Sequence, residues 1–307
     1  MTNNTPPSVV LILAALAMPG FATADTCHPA DKKGTECTLP VDDLHPTQFA
    51  VGSIAVDCKA DKISGLSKKK LKAYLKKEKN RIPAVVGPDG NFYITDHHHL
   101  ATALYRASSS DWKKKDKVVS IDVLDNYFLS KTDWGEFWQA MQDQHLSYNY
   151  DNKGLANMNF ALLPGEVGML LNDPYRTLSR WVRESCGYLK LGKEQCDAIR
   201  PDPPHQAPFF MEFYWGEFFR ENLPLSIADQ TVCQSIPYSD LCLHDQVDQL
   251  KGIYPQAMAL AGSEQAKLYF EKLSLDPYAY GYNPTGQHLD LKFGGEQNAC
   301  EEVEEED

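Results

Sequence analysis

Residues 82–106 read IPAVVGPDGNFYITDHHHLATALYR, and this stretch decides the fold. Ile82 to Val86 and Phe92 to Thr95 are short β-prone runs separated by Gly87-Pro88-Asp89-Gly90. Pro fixes φ and Asp-Gly supplies a tight reversal, so the spacing predicts a β-hairpin. Beyond it, Leu100, Ala101, Ala103 and Leu104 give the segment from His98 to Arg106 a helix-compatible composition. The chain therefore passes from strand to helix across Asp96-His97-His98-His99. Such a junction places side chains and backbone donors at a helix start, where the macrodipole and free N–H groups favour an anion. Phosphate is a fitting ligand. Imidazoles also transfer protons or bind a divalent metal, and Asp96 could orient one ring by accepting its second N–H. Three adjacent histidines cannot all face one way on a strand, although a turn could converge two of them. The competing reading is a capping and polar-packing cluster.

Outward from this centre, Gln48 to Val56 has the apolar positions of a first strand, and Lys117 to Leu124 alternates like another. Between the first strand and the hairpin, Leu66, Leu71, Tyr74 and Leu75 recur at helical spacing among seven lysines between Lys68 and Lys79. That helix is basic and amphipathic, and its lysines read as a solvated face. Residues 42–128 are thus α/β. From Thr132 the pattern turns mainly helical, so a second, helical region is expected over 129–290. Its aromatic segments, Trp134-Gly135-Glu136-Phe137-Trp138 and Trp215-Gly216-Glu217-Phe218-Phe219, read as core rather than as a repeat. The fold class is α+β: a mixed α/β N-terminal domain with a mainly helical C-terminal extension.

Within the helical region Asp173 is a natural N-cap followed by Pro174 at the first helical position, and Leu178, Trp181, Val182 and Ser185 share one face. Arg176, Arg180 and Arg183 follow at i, i+4 and i+7. The planar donor fork of arginine suits phosphate or carboxylate oxygens, so this stripe could clamp an anion against the histidines. The alternative is a solvated face paired with acids such as Glu184.

The chain has 307 residues, with 43% hydrophobic and 11% aromatic residues, which excludes a disordered or collagen-like chain. The formal charge is -12, of which the tail at 291–307 contributes much through Glu301, Glu302, Glu304, Glu305, Glu306 and Asp307. No generally basic surface advertises tight duplex nucleic-acid binding. Val9 to Met18 is an uninterrupted apolar run. A run of that length is too short for a bilayer core of about 30 Å. With Pro19, Gly20 and the small residues Ala22-Thr23-Ala24, it reads as a signal peptide over 1–24 that is cleaved before Asp25. No second long apolar run follows, so no transmembrane anchor is expected after cleavage, and the protein is expected to be secreted or periplasmic. All eight cysteines lie beyond the cleavage point. An even number in an exported chain suggests disulfides, and the short separations favour Cys27/Cys37, Cys186/Cys196 and Cys233/Cys242, leaving Cys58 with Cys300. The segment 25–41 then carries the first bridge. No C-x-x-C pair marks a zinc or thioredoxin-like centre.

Several segments together resemble the ParB-like nuclease family, a branch of the ParB/sulfiredoxin-like superfamily. They are Leu44-His45-Pro46-Thr47-Gln48 with Val51-Gly52; Ile82 to Val86; Tyr93 to Ala101 with its DHHH motif; Asn172 to Arg183 with Gly187-Tyr188; and Pro208 to Trp215 with Phe218, Phe219 and Arg220. The resemblance implies a ParB-like α/β domain at 42–128 with a family-specific helical extension. It also implies that the turn handles phosphate. In related folds that turn carries a Gly-His-x-Arg or Gly-Glu-Arg-Arg pattern; here His97 stands where the Gly would be and Leu100 where a basic residue often follows. Arg176 is the candidate to replace the missing charge. The reading is therefore an exported phosphodiesterase or nuclease-like hydrolase for a small anionic or phosphoester ligand. His98 and His99 act in it as general acid/base, Asp96 orients, His97, Arg176 and Arg180 bind substrate, and a divalent metal at His97, His98 and His99 is an option. The alternative is a non-catalytic extracytoplasmic protein binding a phosphate, carboxylate or metal. No Walker loop or Ser-His-Asp motif is recognisable.

Overall fold

The computed structural model describes residues 25–156, 159–189, 196, 210–225 and 240–289. A five-stranded mixed sheet has the order β1-β6-β4-β5-β2, built from β1 (Glu36–Pro40), β2 (Leu44–Pro46), β4 (Ile82–Val86), β5 (Phe92–Ile94) and β6 (Val118–Asn126). β4 and β5 are the antiparallel hairpin expected around Pro88-Asp89-Gly90, while β2 pairs parallel with β5 and β6 parallel with β4. Gly90 takes a φ of +83°, the left-handed conformation that the reversal requires of it.

Three helices cover the sheet: α1 (Ser53–Ser64), α2 (Lys68–Leu75) and α3 (His98–Arg106). Their apolar faces meet Leu44, Ile82, Ile94 and Ile121 in one core, to which they contribute Val56, Ile63, Leu71, Leu75 and Leu104. In α2, Leu71 and Leu75 are buried and the lysines are exposed, which is the solvated face expected.

The expected strand from Gln48 to Val56 is instead a two-residue strand, β3 (Ala50–Val51), followed by α1 from Ser53. The reason is double burial. Val56, Ala60 and Ile63 face the sheet core, whereas Ile54 and Cys58 enter a second core, so α1 has no wide polar stripe to betray its helical period. β3 pairs parallel with β7 (Leu171–Asn172), and each strand runs directly into a helix, β7 into α6 (Pro174–Glu184).

The second core is built by α6, α7 (Met211–Asn222), α8 (Asp240–Ala261) and α9 (Glu264–Lys272). Trp215 is fully buried, stacked on Tyr188 at 4.6 Å and edge-on to Phe270 at 4.9 Å. The aromatic segment around it is core, as expected. The other one forms α5 (Trp134–Asp143), which follows the short α4 (Tyr127–Ser130). It packs Phe137 and Met141 against Val85 and Tyr93 of the sheet. The molecule is thus α+β, a mixed α/β body with a helical extension, and α1 serves both cores.

Disulfides join Cys27 to Cys37 and Cys186 to Cys196, as their spacing suggested. Cys58 is also disulfide-bonded; its expected partner Cys300, and Cys233 of the expected Cys233/Cys242 pair, lie outside the described residues. So do the expected signal segment 1–24 and most of the acidic tail at 291–307. Among the described residues no helix is long and apolar enough to cross a membrane. The bridges and the absence of such a helix are compatible with a secreted protein.

Candidate functional site

The DHHH turn lies between β5 and α3. Asp96 Oδ1 accepts the N–H of His97 at 2.6 Å, and His97 is the N-cap of α3 with φ 61° and ψ 23°. Left-handed backbone is costly for a residue with a Cβ, so the turn is held by its surroundings rather than by local preference. From there His98 enters the interior, 4% exposed, and His99 is half-buried.

Both rings bind backbone. Thr47 N–H donates to His98 Nε2 at 3.2 Å, and Gly52 N–H donates to His99 Nε2 at 3.1 Å. A ring that accepts at Nε2 in its neutral form carries its proton on Nδ1. Burial pushes His98 down to about 3, with Arg176 and His97 adding to the shift and Asp96 opposing it. His99 is held well below the ordinary imidazole range by burial and then by Arg176, Arg180 and Lys59. Both are neutral imidazoles at pH 7.

Gly52 is where the turn meets the arginine helix. A Cβ there would stand 2.8 Å from Thr177 Oγ1 and 3.0 Å from the Thr177 backbone nitrogen, so only glycine allows the approach. Asp173 N–H donates to Val51 O at 2.9 Å, and Ser53 N–H donates to Asn172 Oδ1 at 3.0 Å. The start of α6 is thereby sewn to the start of α1, which His99 joins to the start of α3. A second route runs through the aromatics. Tyr148 N–H donates to Thr47 O, the Tyr148 ring lies 4.1 Å from that of Phe213, and the Arg176 guanidinium sits 3.7 Å above Phe213.

Arg176 is only 5% exposed. Its Nη2 donates to Glu212 Oε2 at 3.0 Å, but among the described residues its buried Nε and Nη1 have no hydrogen-bond partner. Ser53 Oγ and Thr177 Oγ1 are orphaned in the same way. Unpaired donors on a buried cation are costly, and a cluster of them calls for a ligand or water. Arg183 bridges Glu184 at 2.5 Å and also contacts Glu212, while Arg180 is half-buried and acts electrostatically on His99. Arg183 is thus paired with Glu184, as the alternative reading of the stripe expected, whereas Arg176 is buried rather than solvated.

Sequence reasoning missed Lys59 and Glu212. Lys59, on α1, is pushed down to about 7 by burial and by Arg180, Arg183 and Lys62, with Asp96 opposing. It lies beyond the expected strand, which ended at Val56, in a stretch assigned to no element. Glu212 was quoted only as part of a segment, and nothing in its local sequence announces a carboxylate shared by two arginines.

As a metal centre the turn is not assembled. Among the described residues the one group of His, Cys, Asp or Glu side chains close enough to share an ion is Cys27, Asp31 and Cys37, and its two sulfurs are joined in a disulfide. His97, His98 and His99 form no such group, because the Nε2 atoms of His98 and His99 are directed to different backbone amides.

Residues 37–221, which carry every segment of this site, match the family model described as "Putative ParB-like nuclease". The chain belongs to the ParB-like nuclease family. Among solved structures it is similar to the crystal structure of protein Atu1540 from Agrobacterium tumefaciens. The two share 26% identity with a TM-score of 0.50, over 76% of this chain and 95% of that one. No curated protein matches the chain. The family match joins the α/β body to α6 and α7, so both halves of the site fall within one family unit.

Proposed function

We propose that this ParB-like nuclease family member is an exported phosphoester hydrolase, and that its substrate anion sits between the DHHH turn and α6. The observation that carries the reading is Arg176: a buried guanidinium with two donors that no group among the described residues satisfies, beside the starts of α1 and α6. A phosphate oxygen supplies the acceptors those donors lack. Arg180 and Lys59 add positive charge at the half-buried rim, and His97 and the first turn of α3 contribute donors. Export is supported by the apolar run Val9 to Met18 and by the disulfides.

In this reading His98 and His99 offer Nδ1–H as donors. Acid–base duty at either ring requires first releasing the N–H of Thr47 or Gly52 from Nε2, since that bond uses the lone pair. Lys59, held near neutral basicity, is the better placed proton carrier. The engagement of both Nε2 atoms is also the specific observation favouring the second reading, in which the pocket captures an anion without turnover.

The test is paired on oxidised protein: calorimetric titration with inorganic phosphate, and turnover of a chromogenic phosphodiester and of single-stranded DNA, with and without divalent ions. Binding with turnover that Lys59→Met suppresses supports hydrolysis, whereas binding without turnover under any condition selects the binding reading. Absence of phosphate binding refutes both.

A further inference from the structure

We infer that the lysine face formed by α2 and the turn at 113–116 is a docking surface for this chain's own acidic run, Glu301 to Asp307. The face is one continuous surface. In α2, Leu71 and Leu75 are buried, which turns Lys69, Lys70 and Lys72 outward, and Lys68, Lys76, Lys77 and Lys79 are exposed as well. The start of the helix is fixed against the segment that precedes β6: buried Trp112 donates its Nε1–H to Leu66 O at 3.0 Å, and Lys68 Nζ lies 2.7 Å from Asp116 Oδ1. Lys113, Lys114 and Lys115, all exposed, thereby join the lysines of α2. The acids in reach are partly spent. Asp116 is held by Lys68 and Asp42 by Lys114, while Glu36 and Asp122 on the adjoining strands are held by Arg81. Asp43, Asp61, Glu78 and Asp111 are left, and Lys62 stands with the lysines. Eleven lysines thus stand against six carboxylates, so five lysines stay unmatched even if every acid takes one.

The complement is in the same chain. Glu301-Glu302-Val303-Glu304-Glu305-Glu306-Asp307 carries six carboxylates and no basic residue. Leu289, the last described residue, is tied to the end of α6 by its N–H to Ser185 O at 2.9 Å. The eighteen residues from there to Asp307 span at most about 60 Å, against a radius of gyration of about 19 Å for a folded chain of this length. Reach leaves the whole surface open, and charge selects. The expected Cys58–Cys300 bridge would shorten the route, starting the run on α1, which leads through Gly65 towards α2. The other described cations offer less. Arg81, Arg106 and Arg220 are held by carboxylates, Lys251 and Lys267 are paired within their own helices, and Arg176 and Arg183 are buried against Glu212. The face is made of lysines, whose point charges on flexible stems need no fixed register with a partner, and this suits a run of glutamates. Tethering raises the local concentration of the run to about the millimolar range, so pairs that are individually weak at an exposed surface act together.

The experiment couples carboxylates to amines with a zero-length carbodiimide on the oxidised full chain and maps the isopeptide bonds of the monomer by mass spectrometry. At low salt, bonds from Glu301–Asp307 are expected to Lys69, Lys70, Lys72, Lys76, Lys113 or Lys115, in about 10-fold excess over bonds to Lys131, Lys153 and Lys272, which are exposed elsewhere. They should disappear in 1 M NaCl, where the Debye length falls to about 3 Å. Bonds spread evenly over all exposed lysines, bonds confined to Lys59 in the anion pocket, or bonds formed only between two molecules overturn the inference. A second measurement titrates a hexaglutamate peptide. A chain ended at Cys300 should bind it about 10-fold more tightly than the full chain, because the face is no longer covered. Lys69→Gln, Lys70→Gln and Lys72→Gln together should abolish that gain while leaving the buried Leu71 and Leu75 in place. Equal affinity of the full and shortened chains overturns the inference as well. If the shortened chain does not fold, the coupling pattern of the full chain decides alone. Neither measurement depends on the anion pocket.

Discussion

Replacing Arg176 by Met separates a residue that holds the fold from one that waits for a ligand. Methionine keeps an apolar stem of similar reach against Phe213 and removes the guanidinium. The losses are one charge-assisted hydrogen bond to Glu212, worth about 1.5–3 kcal/mol, and the cation–π contact at 3.7 Å, worth about 2 kcal/mol when desolvated. Against them stands the relief of two buried donors, Nε and Nη1, each costing about 1–3 kcal/mol while unsatisfied. Glu212 is not left alone, because Arg183 still holds it. The terms nearly cancel, so Arg176→Met is expected to change the ligand-free stability by no more than about 2 kcal/mol, compared with about 3–5 kcal/mol for breaking a buried pair that has no second partner.

The assay is denaturant or thermal unfolding of the oxidised protein, with and without phosphate. At 100 times its dissociation constant phosphate should stabilise the wild type by about 2.7 kcal/mol and Arg176→Met hardly at all. Ligand-free destabilisation beyond about 4 kcal/mol, together with a wild type indifferent to phosphate, would show Arg176 to be a structural strut and not a ligand group.

Three further outcomes are expected. His98 has an unfolded-state value near 6.5 and a folded one near 3, so the unfolded chain takes up the proton first as pH falls; stability is full above about 6.5, drops between 6.5 and 3 by up to about 5 kcal/mol, and is flatter in His98→Asn, as stability curves against pH would reveal. Gly52→Ala should cost about 1–3 kcal/mol and depress phosphate affinity, because its Cβ collides with Thr177; unchanged melting and binding would contradict the close approach of α1 and α6. Cys27→Ser with Cys37→Ser should lower stability by about 2–4 kcal/mol in denaturant titrations without changing the affinity for phosphate, since the bridge closes a short loop away from the site.

Legibility followed the number of faces an element buries. The hairpin, α3 and α6 each announce themselves: a Pro-Asp-Gly turn between β-prone runs, an apolar stripe behind the histidines, and an Asp-Pro helix start. α1 does not, because Ile54 and Cys58 point into one core while Val56 and Ile63 point into the other, and a helix apolar on two sides resembles a strand in a short window. The expected strand took in only the first turn of α1, to Val56, and residues 57–64, Lys59 among them, were assigned to no element. The turn residues were visible as chemistry but not as geometry. Nothing in Asp96 to His99 tells that two Nε2 atoms will be used on backbone amides, since Thr47 and Gly52 lie about fifty residues away in sequence. Arg176 was legible through its helix spacing, whereas its burial depends on Phe213 and Glu212 from α7, a tertiary contact that no local pattern encodes.

The histidines and the cations of this site constrain each other. By accepting the N–H of Thr47 and Gly52, His98 and His99 fix the approaches to β3 and α1, and a protonated ring cannot do this because it has no lone pair to offer. Neutral rings are secured by burial and by neighbouring positive charge from Arg176, Arg180 and Lys59. The same crowding pushes Lys59 down and leaves Arg176 with unsatisfied donors. His97 adds backbone strain at the N-cap of α3. Local rules are thus broken together at one place, and an anion would relieve all but the backbone strain: it satisfies Arg176, restores the proton of Lys59 and lowers the repulsion around the rings. On the proposed reading, that convergence is what distinguishes the site from an ordinary buried ion-pair network, in which Arg176 would already have its donors filled by protein.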